Sequence, residues 1–159
     1  MDVAVGSVKD DVIQRVRTSR ALGPFIFLSR LGLGWYVFHT GWAKVVGELQ
    51  GGPGTFLASR VFQPRGEFLP GPLAAVFGYT WPWLETLSGL LLLLGLFTRF
   101  STLFVAALLA CISVALVLTG EYFPQHHTMV FLPLALLLWV IGPGPYSLDA
   151  IMRGRSARS

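Results

Sequence analysis

The chain is short of charge. Of its 159 residues, 13% are Asp, Glu, Lys or Arg, against roughly 25% in an ordinary soluble domain. It has a single cysteine, Cys111. That excludes an intramolecular disulfide, a CxxC pair and a thiolate metal cage. It has no phosphate-binding motif: the glycines around 51–54 lack a following Lys-Ser/Thr and a preceding strand. It also has no basic patch interleaved with aromatics. Lys9, Arg15, Arg17, Arg20, Arg153, Arg155 and Arg158 gather at the two ends, so lipid headgroups are their expected partner and nucleic acid is not. The first residues do not read as a cleavable signal, because residues 9–20 are charged and the apolar run after them is too long for an h-region.

What the chain has in quantity is apolar surface. Hydrophobic residues make up 53% and mean hydropathy is +0.64. The expected class is an all-α integral membrane protein of one compact domain: a four-transmembrane-helix bundle with amphipathic surface helices at both ends. Residues 1–22 read as a cytoplasmic amphipathic segment, with Val8, Val12, Ile13 and Val16 at helical spacing. Residues 23–145 read as the transmembrane domain, with helices at about 24–46, 72–97, 100–118 and 123–142. Gly34 and Gly41 leave room for a close neighbour in the first. Pro82 is expected to kink the second. The fourth reaches a spanning length only if it starts at Phe123, which draws His126 and His127 into the membrane edge. Residues 47–71 form a long outer loop, with Phe56, Leu57, Val61 and Phe62 expected in a short surface helix. Residues 146–159 form a cytoplasmic tail. Counting Lys and Arg by side puts both termini in the cytoplasm, and Trp42, Tyr79, Trp81 and Tyr122 mark the outer interface.

One carboxylate stands inside this apolar chain. Glu85 lies between Trp81-Pro82-Trp83-Leu84 and a run of leucines. Such a group costs roughly 2.5–3.5 kcal/mol in hydrocarbon unless it meets a partner or a watery cavity. At ~1.5 Å per residue, Arg30 falls ~9 Å from the cytoplasmic face, Glu85 ~18 Å, His39 and His127 ~22 Å, His126 ~24 Å and Lys44 ~30 Å. Arg30 and Lys44 lie within about 40° of one helix face, with His39 on another. Arg30 and Lys44 are therefore the candidate partners of Glu85.

Each residue also has a plainer reading. Glu85 can be a structural ion pair, Lys44 can snorkel beside Glu48, and His39 can be a hydrogen-bonded bundle histidine. His126 and His127 can be interface residues, and Cys111 can be packing. A His/Glu metal site from His39, His126 or His127 with Glu85 and Glu121 is geometrically possible, but its spacing is not diagnostic.

These residues bring out a resemblance. Arg30 with Gly34, Gly41 and Lys44 form a first motif. Glu85 followed by Ser88-Gly89-Leu90 through Gly95-Leu96-Phe97-Thr98-Arg99 forms a second. Gly142-Pro143-Gly144-Pro145-Tyr146-Ser147-Leu148-Asp149 forms a third. In that order they resemble the DoxX-like membrane proteins, relatives of the small DoxD subunit of thiosulfate:quinone oxidoreductase, over about residues 24–152. The resemblance implies four transmembrane helices in a bacterial or archaeal inner membrane and association with a multi-subunit redox complex near the quinone pool. Relatives often carry an acidic residue early in helix four, where this chain has His126-His127-Thr128-Met129. The cysteines of disulfide-handling relatives are missing.

Two readings are open. In the first, the chain is an accessory oxidoreductase subunit in which Glu85, Arg30, His39 and Lys44 handle a proton or a quinone. No intrinsic cofactor is expected, so electrons require a protein partner. In the second, it is a non-catalytic scaffold whose ion pair fixes the bundle. A transporter or channel is the weaker alternative, since neither an inverted repeat nor a second row of charges is legible.

Overall fold

The computed structural model describes residues 22–59, 62, 69–120, 126–144 and 146–156. The amphipathic segment expected at residues 1–22 lies almost wholly outside these. The described chain is all-helical: α1 (Gly23–Gly51), α2 (Gly71–Leu94), α3 (Thr98–Thr119), α4 (His126–Ile141) and α5 (Leu148–Ser156). Proline and glycine mark most of these boundaries. Pro24 and Pro72 sit in the first turns of α1 and α2, where a missing N–H costs nothing. Gly95 ends α2 with φ +68°. Its N–H donates to Leu92 O, and that of Leu96 donates to Leu91 O, the paired bonds of a Schellman cap. The apolar pattern continues through Leu96 and Phe97, so residue type alone carries the helix to 97. The left-handed glycine stops it at Leu94. Pro82 lies inside α2 without ending it.

α1 packs chiefly on α2 and α3 on α4, with α2–α3 and α1–α4 contacts closing the bundle. Gly34, Gly41 and Gly89 let α1 and α2 approach closely. A Cβ on Gly41 would fall against the Thr86 backbone, one on Gly89 against Phe38, and one on Gly34 would lie 3.0 Å from Leu93 N. The main core joins Ile26, Leu33 and Val37 of α1 to Leu92, Val105, Leu109, Ala135 and Leu138. A second cluster joins Phe56, Phe62, Trp81 and Leu108.

Phe56 and Phe62 are therefore buried, where the sequence suggested a helix resting on the surface. α1 also runs five residues beyond the expected 46, and Glu48 organises the turn after it. Its carboxylate accepts the N–H groups of Gly54 (2.8 Å) and Phe56 (2.6 Å). This folds residues 52–59 back over the bundle end.

Many large side chains face outward, among them Phe25, Leu28, Trp35, Trp83, Leu87 and Val130, as expected of a surface that meets lipid rather than water. Cys111 is exposed on α3. That corrects its reading as core packing: its face of α3 points away from the bundle. Among the described residues, α3 is the one helix long and apolar enough by composition to cross a bilayer. Residues 130–141 of α4 form a shorter apolar stretch.

Candidate functional site

Glu85 is buried on α2, one turn beyond Trp81. Lys44 Nζ of α1 forms an ion pair with Glu85 Oε2. Thr40, one turn before Lys44, donates its hydroxyl to Glu85 Oε1 at 2.7 Å. Both carboxylate oxygens are thus held from α1, by residues at i and i+4 on one face. The close α1–α2 approach at Gly41, next to Thr40, brings that face within reach. Lys44 remains 23% exposed while Glu85 is 8% exposed, so the pair is closed on the α2 side and partly open on the α1 side. Phe56 covers it, with Lys44 Nζ 5.4 Å from the ring centroid. An ammonium over an aromatic face gains further stabilisation when shielded from water.

Glu48 does not attend Lys44. Its oxygens are engaged by the backbone of the turn that carries Phe56, so Glu48 positions the cover and Glu85 receives the cation.

Arg30 lies elsewhere. It is 2% exposed and donates to Pro143 O at 3.0 Å and to Tyr146 O at 2.6 Å. The expectation that it shares Glu85 with Lys44 is corrected by this placement. Arg30 meets the turn after α4, whose Pro and Gly residues leave carbonyls without helical partners. Phe27 lies beneath the guanidinium, with its ring centroid 5.5 Å away, and Tyr146 packs on Phe27. Gly95 completes the fit, because a Cβ there would lie 2.6 Å from Arg30 Nη1 and 2.9 Å from Ser147.

Asp149 ties the same region to α3. Its carboxylate accepts the N–H groups of Phe97 (2.9 Å) and Thr98 (2.8 Å), and its own N–H donates to Gly95 O (3.1 Å). Ser147 caps α5 by accepting from Ala150 N at 3.1 Å. The start of the first motif, the end of the second and the third therefore converge in one knot at the Arg30 end of the bundle. The knot forces Phe97 into the left-handed region, at φ +47°. For a residue other than glycine that costs roughly 1–2 kcal/mol.

His39 faces outward beside Trp35, with ring centroids 6.0 Å apart, and does not join Glu85. Glu121 and the side chains of His126 and His127 lie outside the described residues. Among the described residues, no three His, Cys, Asp or Glu side chains gather as a metal site requires. Sequence reading missed Thr40, and it named Glu48 and Asp149 without the backbone groups each would bind. The signal for Thr40 was its spacing of four from Lys44. The signal for Asp149 was a Ser-x-Asp at a helix start, where acceptors are favoured.

A helical bundle with buried ion-pair and guanidinium sites, wrapped in outward-facing aromatics and leucines, defines a small integral membrane protein. The DoxX family model matches residues 25–122, more than half the chain, and the protein belongs to that family. No curated protein and no solved structure matches it.

Proposed function

We propose that the chain is an accessory subunit of a quinone-linked membrane redox assembly, in which Glu85 handles a proton or holds a quinone head group. Lys44 supplies the counter-charge to that carboxylate and Thr40 fixes its orientation. Arg30 and His39 are left out of this set. The observation that carries the reading is the Lys44–Glu85 pair, closed toward α2 and partly open beside Lys44. A carboxylate held among apolar side chains by one ammonium and one hydroxyl is a group placed to meet a proton or a polar head group inside the bundle.

In this reading the bundle crosses the bilayer four times with both termini in the cytoplasm. α1 and α2, at 29 and 24 residues, extend ~43 and ~36 Å, which exceeds a ~30 Å hydrocarbon core. The basic residues at the two ends support the orientation. Electrons would travel on partner proteins.

A scaffold reading is favoured by one specific observation: both Glu85 oxygens already have partners from α1. Purification from the native membrane separates the two. A co-purifying quinone that is lost on Glu85→Gln, with the helical signal intact, is the result expected. Quinone retained by Glu85→Gln, or a stable partner complex without quinone that only loop changes disrupt, would favour the scaffold.

A further inference from the structure

The knot leaves an apolar plate at the Arg30 end of the bundle. Phe97 and Phe100 are each 68% exposed and Tyr146 is 57% exposed. On α5, Leu148, Ile151 and Met152 are all exposed. Their i, i+3, i+4 spacing gives one apolar face, while Ser147 is buried and Asp149 is turned to the α3 start. Asp149 thus fixes how α5 lies, and the apolar face of α5 is left turned outward.

Phe97 is the informative residue. Its left-handed backbone would be relieved by glycine, and its side chain gains little from the rest of the protein. A bulky aromatic held at a strained position and pointed outward is accounted for by an apolar medium outside. Charge accompanies it. Arg99 is exposed between Phe97 and Phe100, and Arg153 and Arg155 come after Met152 in sequence. Apolar side chains bordered by arginine, on a helix too short to cross, match the boundary of a bilayer whose headgroups are negative.

We propose that this plate is an anchor selective for anionic phospholipid. Phe97, Phe100 and the outer face of α5 bed into the acyl boundary, and Arg99 engages the phosphate. No redox role for Glu85 is required.

The test uses the full chain in neutral detergent, with thermal unfolding followed as phosphatidylglycerol or phosphatidylcholine of the same acyl length is added. Phosphatidylglycerol is expected to raise the midpoint at lower lipid concentration than phosphatidylcholine. Arg99→Gln is expected to weaken that response roughly fivefold, the worth of one basic residue beside an anionic surface. Phe97→Gly is expected to unfold at a higher temperature without lipid, yet to respond less to either lipid. Equal responses to the two lipids, or an undiminished preference in a folded Arg99→Gln protein, would overturn the proposal. So would the loss of a co-purifying subunit from these variants with the lipid response unchanged, which would put a protein on the plate.

Discussion

Glu85 has two carboxylate oxygens, and α1 supplies a partner to each. Removing the charge leaves Lys44 half enclosed beneath Phe56 with no anion beside it. A buried pair broken on one side costs about 3–5 kcal/mol, and the partial exposure of Lys44 reduces that. Glu85→Gln is therefore expected to lower stability by about 1–3 kcal/mol, measured by denaturation in detergent. Thr40→Val keeps the shape and removes one hydrogen bond, and is expected to cost about 1 kcal/mol by the same measurement. A loss as large as that of Glu85→Gln would mean that the hydroxyl, and not the ammonium, is the main partner.

The acid was legible in the sequence as an anomaly, and Lys44 as one of two bases on the first helix. Thr40 was not, because a hydroxyl in an apolar helix ordinarily bonds its own preceding turn. Thr40 keeps Tyr36 O and Val37 O within 3.0 and 3.1 Å as well.

At the scale of elements, two devices fix the bundle. The first is the glycine seam between α1 and α2. Gly89→Leu would drive a side chain into the Phe38 backbone. It is expected to cost at least about 1–3 kcal/mol by overpacking, or to prevent accumulation of folded protein, read by expression and size-exclusion profile. The second device is the Arg30 knot. Arg30→Met strands the carbonyls of Pro143 and Tyr146, with an expected loss of about 2–3 kcal/mol. Asp149→Ala uncaps α3 at about 1–2 kcal/mol. Because the two residues serve one turn, their losses should combine non-additively in the double variant.

α2 and α3 begin and end within three residues of where apolar runs and prolines place them, whereas α1 overruns its expected end by five and the expected start of the fourth helix lies outside the described residues. The knot was not. Counting along the helices separates Arg30 from Glu85 by ~9 Å in depth, and nothing local to Arg30 reveals that a segment 113 residues later returns as irregular backbone needing a donor. The three motifs were each visible. Their meeting point depends on tertiary packing, which residue type does not encode locally.

For the whole molecule, the structure divides the buried charge into two separate stations. One is structural and sits where the turn between α4 and α5 folds back on α1. The other lies toward the opposite end of α1, partly open, and is the one the proposed redox role depends on. Membership of the DoxX family sets the membrane context, while the division of labour comes from where Arg30 and Lys44 go. A double-mutant cycle tests that division most directly. Lys44→Met and Glu85→Gln, singly and together, should show a coupling above about 1 kcal/mol, whereas Arg30→Met and Glu85→Gln should add to within about 0.5 kcal/mol. Strong coupling of Glu85 to Arg30, with Lys44 indifferent, would contradict the account.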